Sequence, residues 1–250
     1  MSNIKIFVTV RDRLQCTAEC VTSLIATTKG RADILIYDNG SEADLPALRQ
    51  LYIQWTMLGQ VQDVTYNRFE DKPEVYWSKN YAWKQFLLRM AWLLPAEREF
   101  LVMVDNDVVF EPGWLDACLA IHADPAFAAH NLAVLSPYDG PPDPNTNPDI
   151  FSILDQALIA EYPVSIRNAV SSRCWFAPYD FWTQWEPPTE REVIHADKPN
   201  RMPTDWYYWQ RAAENDLRFA VLEPPLVHDP AGPWPSARMK NRIGDDAQGF

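Results

Sequence analysis

Apolar positions in the first half of the chain switch between two periods. Residues 4–10 (Ile-Lys-Ile-Phe-Val-Thr-Val) carry apolar side chains on both faces of an extended segment, which predicts a buried strand. Leu14, Val21, Leu24 and Ile25 then recur at helical spacing, and Gly30 ends the run. Residues 33–37 predict a second strand, closed by the turn Asp38-Asn-Gly-Ser-Glu42. Residues 43–58 read as a helix, 61–66 as a shorter strand, and 81–94 as a helix stopped at Pro95. Residues 100–110 (Phe-Leu-Val-Met-Val-Asp-Asn-Asp-Val-Val-Phe) form an apolar strand that runs straight into two carboxylates, Asp105 and Asp107. Pro112 opens a further helix to about residue 121. This rhythm predicts an α/β fold: a mostly parallel central sheet flanked by helices, with right-handed crossovers.

The second half is less regular. Residues 132–135 predict a strand, but 136–148 hold too many prolines for an interior helix or a central strand and predict a long loop. Residues 173–176 are strand-like, 181–188 begin an irregular region, 205–215 read as a helix and 218–222 as the strand after it. Glu223-Pro-Pro-Leu-Val-His-Asp229 leaves that strand, and 231–250, with Pro233, Trp234 and Pro235, read as a partly ordered tail or a lid. No internal repeat is present.

Composition narrows the classes. A chain of 250 residues with 47% apolar and 22% charged positions is ordinary for a soluble globular protein with a sizeable core. A formal charge of -12 argues against a broad nucleic-acid surface, though not against a small nucleotide bound through a metal or a local basic patch. No segment reaches 18 apolar residues and the N-terminus lacks a leader-like apolar run, so neither a transmembrane segment nor a secretory signal is expected. Cys16, Cys20, Cys118 and Cys174 show no CxxC pairing and read as buried thiols in a reducing compartment, not as zinc ligands. The expected location is cytoplasmic.

Asp105 and Asp107 sit where their strand reaches the C-terminal edge of the sheet, the edge at which open α/β sheets bind ligands. Two carboxylates placed there need cations or protons, and a divalent metal is the fitting partner. A solvated acidic turn is the alternative.

Read in order, Phe7-Val-Thr-Val-Arg11, Ile36-Tyr-Asp-Asn-Gly-Ser41, Ser78-Lys-Asn80, Val104-Asp-Asn-Asp-Val108, Ser171-Ser172, the Asp205 helix and Val227-His-Asp229 resemble the GT-A glycosyltransferases, especially the family 2 group that uses sugar nucleotides. The resemblance covers about residues 4–230. It implies a Rossmann-like GT-A fold in a single catalytic domain, 1–230, with a nucleotide-binding half to about 130 and an irregular acceptor-facing half from 131. It also implies that Asp107 ligates Mn2+ or Mg2+, with Asp105 near the donor ribose and the metal's water shell. Asn106, between them, is grouped with the donor-binding residues and not as a direct ligand. His228 would complete the metal site, with Asp229 as an alternative ligand and an exposed histidine without a role as the plainer reading. Asp38 would accept a hydrogen bond from the nucleobase, an Asx-turn cap on Asn39-Gly40 being the alternative. Thr9, Val10 and Arg11 would line the nucleotide. Lys79 and Asn80 match a Lys/Arg-Asn pair near the donor pocket, against a plain helix-surface position for Lys79. His122, His130 and His195 lack such context and read as surface or packing residues.

Asp205 is the expected catalytic base, by analogy with inverting members in which a carboxylate at this helix start deprotonates the acceptor hydroxyl. Many members show Glu-Asp where this chain has Thr204-Asp205, and an N-cap role is the alternative. Trp175, Trp182, Trp185, Trp206, Trp209 and Trp234 suit a carbohydrate or aromatic acceptor, some of them packing the core. The expected function is metal-dependent transfer of a sugar from a nucleoside-diphosphate-sugar to a saccharide, glycan or other hydroxyl acceptor, with inversion if Asp205 is the base. Nucleic acid ranks below these acceptors. Three alternatives stand beside it. One is a nucleotidyltransferase, which calls for a glycine-rich loop that Thr9-Val-Arg-Asp-Arg13 lacks. The others are a noncatalytic carbohydrate-binding protein of the same fold and a glycosyltransferase acting on modified nucleic-acid bases.

Overall fold

The computed structural model describes residues 3–67, 79–139, 151–185 and 204–230. Strand β1 (Ile4–Val10) is apolar on both faces because helices cover both sides of the sheet it centres. Helix α1 (Leu14–Thr28) buries Thr17, Cys20, Val21, Leu24 and Thr28, a stripe at helical spacing, and ends where Lys29 and Gly30 turn left-handed. It leads to β2 (Asp33–Asn39), α2 (Leu45–Met57) and β3 (Asp63–Asn67), which step outward in parallel from β1. Helix α3 (Lys79–Met90) then brings the chain back to β4 (Phe100–Asp105), parallel to β1 on its other side. The predicted helix 81–94 stops earlier, at Met90, and Pro95 opens a 3-10 turn instead of ending the helix.

Beyond β4 come β5 (Val109–Phe110), α4 (Trp114–Ala123), α5 (Pro125–Ala129), β6 (Leu132–Ser136), β7 (Ile153–Ile159) and β8 (Tyr162–Arg167). They are followed by β9 (Cys174–Pro178), α6 (Tyr179–Thr183), α7 (Thr204–Glu214), β10 (Arg218–Leu222) and β11 (Val227–His228). The main sheet runs β3-β2-β1-β4-β9-β6-β10-β8-β7, and β11 pairs separately with β5. Strand β9 is antiparallel to β4 and β6, and β8 to β10 and β7, so these two run against an otherwise parallel set.

Alternation along the strands sorts the core into two layers. Ile4, Ile6, Val8 and Val10 face one layer with Ile34, Ile36, Val102 and Val104, under α1, α2, α4 and α5. Phe7, Leu35, Tyr37, Leu101 and Met103 face the other, under α3, α6 and α7. The second layer is strongly aromatic: Trp175 and Trp182 stack at 5.8 Å, and Trp83 meets Trp182 edge-on at 4.5 Å. Buried indole and phenol groups find partners there, Trp182 Nε1 donating to the Leu101 carbonyl (3.2 Å) and Trp83 Nε1 to Tyr208 Oη (3.1 Å).

Several elements were not foreseen, among them the short helix α5 at 125–129. Residues 179–183 form the short helix α6 inside a stretch expected to be irregular. The β7–β8 hairpin escaped because β7 is exposed on both faces at the sheet edge, which removes the period-2 signal. The β5–β11 ribbon has only two residues per strand. The predicted tail 231–250 and most of the proline-rich loop lie outside the described residues. No helix among the described residues is long and apolar enough to cross a membrane.

Candidate active site

With β2 and β3 on one side of β1 and β4 on the other, the strand order reverses between β1 and β4. A crevice opens at such a switch point, outside the carboxyl ends of the strands. Thr9 and Asp105 are register partners there, and Thr9 Oγ1 lies 3.3 Å from Asp105 Oδ1. Thr9 is half-buried where the rest of β1 is buried, and Asp105 likewise ends a buried strand half-exposed. These two groups therefore stand partly exposed beside the strand-order reversal.

Asp107, two residues further on, is buried, and its Oδ2 accepts a hydrogen bond from Arg13 Nη1 at 2.8 Å. Arg13 is the N-cap residue of α1 and, like Asp12, has a left-handed backbone, with φ of 58° and 52°. Two successive non-glycine residues in that region cost about 1–3 kcal/mol each, and the surrounding contacts hold them there. The Asp12 N–H donates to Ser41 Oγ (2.7 Å), and Asp12 Oδ1 accepts from the N–H groups of Glu42 (2.8 Å) and Asp44 (3.3 Å). Asn106 Nδ2 donates to Thr17 Oγ1 (2.7 Å) and to the Asp12 carbonyl (3.3 Å). The Asn106 side chain thus points into the protein and pegs the acidic turn to the loop.

Arg173, just before β9, forms the opposite wall. Its carbonyl accepts the Asp105 N–H at 2.9 Å, while its guanidinium donates to Tyr138 Oη (3.0 Å) and pairs with Asp229. Tyr138 Oη in turn donates to Asp229 Oδ1 at 2.9 Å. Burial works against the Arg173 charge, but Asp107, Tyr138, Asp229 and Asp105 prevail and raise its pKa. Burial holds the Tyr138 phenol up, with Arg173 pulling it down and Asp229 adding to the rise, so it stays protonated.

His228 reaches this end of the sheet on the β5–β11 ribbon, opposite Val109, and its Nε2 lies 3.0 Å from Glu111 Oε1. Among the described residues no three His, Cys, Asp or Glu side chains converge as metal ligands. The expected trio of Asp105, Asp107 and His228 is therefore not gathered into a ligand set. Arg13 engages Asp107 and Glu111 engages His228. Asp229, the alternative ligand, is engaged by Arg173 and Tyr138.

Asp38 has the parity of Ile34 and Ile36 and so faces α2, not the crevice. It is fully buried, with Oδ1 accepting the Ser41 N–H (2.8 Å) and Oδ2 the Tyr52 hydroxyl (3.1 Å). Of the two readings of Asp38, this geometry is the turn-capping one; contact with a base would require the carboxylate to leave these partners. Gly40, with φ 82°, allows the turn that Asp38 caps. Val10 is buried with the core, which leaves only its backbone to line a ligand, and Arg11 is half-buried. Lys79 and Asn80 open α3, and Asp205 lies in the first turn of α7, where its backbone stands at a helix N-terminus; the side chains of all three lie outside the description.

The tryptophans resolve mainly as core. Trp175, Trp182 and Trp209 are buried in the aromatic layer and Trp185 packs against its margin, which removes them as a ready acceptor platform. The side chain of Trp206 and all of Trp234 and His195 lie outside the described residues. His122 packs edge-on to Phe100 at 4.8 Å, and His130 is exposed. The cysteines are free thiols, Cys16 partly exposed and the others buried. Arg13, Asp12, Tyr138 and Arg173 are the site residues that sequence reasoning passed over. Two of them belong to the Arg11-Asp12-Arg13 run, whose charge density beside a strand end was the available signal. A cavity of ≈ 790 Å³ lies at the opposite edge of the sheet, lined by Ile4, Asp33 and Phe100, away from these groups.

Residues 5–156 match the sequence model of "Glycosyl transferase family 2". No curated protein sequence matches the chain. Solved structures with a similar fold include S. aureus TarS 1-349, with TM-score 0.57 and 16% identity over 92% of this chain and 60% of that one. The mannosyltransferase PcManGT from Pyrobaculum calidifontis, in complex with GDP-Man and Mn2+, gives 0.61 and 10% over 96% of this chain and 60% of that one. GalNAc-T7 with UDP, GalNAc and Mn2+ gives 0.59 and 10% over 92% and 44%. The chain thus spans no more than 60% of these three, and at such identities the likeness concerns the fold.

Proposed function

The chain belongs to glycosyl transferase family 2, and on that footing we propose that it moves a sugar from a nucleoside-diphosphate-sugar to a hydroxyl acceptor. The observation that carries this reading is the pairing of Thr9 with Asp105 and the turn to Asp107 at the strand-order reversal, where a nucleotide is bound in open α/β sheets.

The donor set suits a hard divalent cation: Asp105 is half-exposed at the strand end, and Asp107 follows it around a pegged turn. Two carboxylates are enough when phosphate oxygens and water complete the shell, as is usual for Mg2+. His228 is not gathered with them and would add its Nδ1 only by moving toward the turn, its Nε2 being the nitrogen that Glu111 orients. Mn2+ or Mg2+ bound there supplies Lewis-acid neutralisation of the leaving diphosphate. Thr9 and the backbone of Val10, with Arg11, are the proposed lining of the nucleoside side of the crevice, and Lys79 and Asn80, at the start of α3, are the proposed Lys-Asn pair of the donor pocket. Asp38 serves indirectly, by fixing the 38–41 turn whose Ser41 holds the Asp12 loop.

Asp205 is the proposed base. The partial positive charge of the α7 N-terminus favours its ionised form, and the aromatic layer anchors that helix through Tyr208 and Trp209. Direct displacement then inverts the anomeric carbon, and the acceptor is a saccharide, glycan or other hydroxyl compound.

The test is a thermal-shift panel of UDP-, GDP-, CDP- and dTDP-sugars with and without Mn2+. One donor is expected to raise Tm in a metal-dependent way. Asp205→Asn should keep that shift while kcat falls by about 10²–10⁴-fold, the usual worth of a positioned base. A folded protein that responds to no donor sinks the assignment, and parental turnover by the variant removes Asp205 from the chemistry.

A further inference from the structure

Arg13 has no part in the roles above, and the geometry around it points to one. We propose that Arg13 is a resident counter-ion that shields Asp107 while the donor is absent, yields that carboxylate when a divalent cation arrives with the diphosphate, and then pairs with a phosphate oxygen. This rests on the glycosyltransferase reading of the crevice.

The contact is a competition site. Arg13 Nη1 lies 2.8 Å from Asp107 Oδ2, with the two side chains 27% and 9% exposed. A carboxylate so deeply placed needs a cationic partner, and Arg13 supplies it. A hard divalent ion seeks the same carboxylate, and with Arg13 on Oδ2 the two cations repel each other across it.

The root of this arm is fixed. Asp12 is held through its N–H by Ser41, through its carbonyl by Asn106 and through its carboxylate by the N–H groups of Glu42 and Asp44, whereas the Arg13 side chain is the more exposed member of the pair with Asp107. Arg173 is a poor substitute, being already held by Tyr138 and Asp229. Charge gives the direction of the switch. Among the described residues Asp107 pairs with Arg13 and Asp229 with Arg173, and a divalent cation seated on the carboxylate turn adds two positive charges beside Arg13. Arg13 is then repelled from the carboxylate turn and drawn to the anionic oxygens of the diphosphate, for which its planar fork is suited.

The experiment titrates Mn2+ alone by calorimetry into wild type and Arg13→Ala, then titrates UDP, GDP, CDP and dTDP into each at saturating Mn2+. Arg13→Ala should bind Mn2+ alone about 3- to 10-fold more tightly, the worth of a partly screened ion pair released. It should bind the cognate nucleotide more weakly by about the same factor, because a phosphate contact is lost. Arg13→Lys, which keeps the charge but not the fork, should fall between the two, and it carries the test should the alanine variant not fold. Mn2+ affinity unchanged or lowered in the variants overturns the shielding role, as does absence of Mn2+ binding in every form. Unchanged nucleotide affinity overturns the transfer to phosphate. If wild type binds no nucleotide in the panel, the glycosyltransferase reading and the transfer to phosphate fail together, while the Mn2+ arm still decides whether Arg13 guards Asp107.

Discussion

Removing one hydroxyl, in Tyr52→Phe, tests whether Asp38 is a structural carboxylate. Asp38 is fully buried and divides its two oxygens between the Ser41 N–H (2.8 Å) and Tyr52 Oη (3.1 Å). The substitution leaves Oδ2 without the hydroxyl in a site that water does not reach. A hydrogen bond to a charged group contributes about 1.5–3 kcal/mol, and a buried acceptor left unmade costs on the same scale. The expected loss is therefore about 2 kcal/mol, or a fall in Tm of roughly 4–8 °C for a chain of this size. Urea denaturation of wild type, Tyr52→Phe, Asp38→Ala and the double variant closes a thermodynamic cycle. The sum of the two single losses should exceed the double loss, because the second change removes a partner already gone. Additive losses, or a Tyr52→Phe protein within about 0.5 kcal/mol of wild type, would show that the 3.1 Å contact does not hold Asp38 and that the carboxylate is free for a ligand.

Trp182→Ala deletes the indole between Trp83 and Trp175 and should cost about 3–5 kcal/mol by denaturant unfolding; a loss under about 1 kcal/mol would mean the aromatic layer does not hold the sheet and α7 together. Burial lowers the His122 pKa from 6.5, with Glu99 opposing, so the unfolded chain takes up this proton first as pH falls. Its contribution is thus fully present above pH 6.5 and is lost as pH drops through the folded pKa; His122→Phe should flatten the stability profile between about pH 7 and 5, and an unchanged slope refutes the assignment. Burial, then the Asp107 charge, raise the Cys16 pKa, so Cys16 should alkylate more slowly than free cysteine while buried Cys20, Cys118 and Cys174 wait for unfolding. Peptide mass spectrometry after brief iodoacetamide treatment reads this directly, and modification of Cys16 at the free-thiol rate contradicts it.

Much of the fold was legible because its signals are local. Ile4–Val10, Asp33–Asn39 and Phe100–Asp105 announced themselves as strands apolar on both faces, and α1 by the spacing of its buried stripe. The β7–β8 hairpin was silent since an exposed edge strand has no buried face to pattern. The same divide runs through the site. Thr9 and Asp105 were predictable as strand ends, and the sheet makes them neighbours. Nothing in Asp-Asn-Asp tells that it is the Asn106 side chain that turns inward to Thr17. Composition likewise misled about the tryptophans, since an indole suits a sugar face and a core equally well until burial chooses.

By itself, then, the sequence determined the alternating elements, the layer each apolar residue joins, and the strand end where acidic residues collect. Periodicity achieves this because helix and strand geometry repeat within a few residues. Only the tertiary structure decided the pairing of the polar groups: Arg13 with Asp107 across 94 positions, Arg173 with Asp229, and Asp38 with Tyr52. Such pairs depend on which strand ends the topology brings side by side and on which carboxylates burial deprives of water. Neither is encoded within reach of a helical turn.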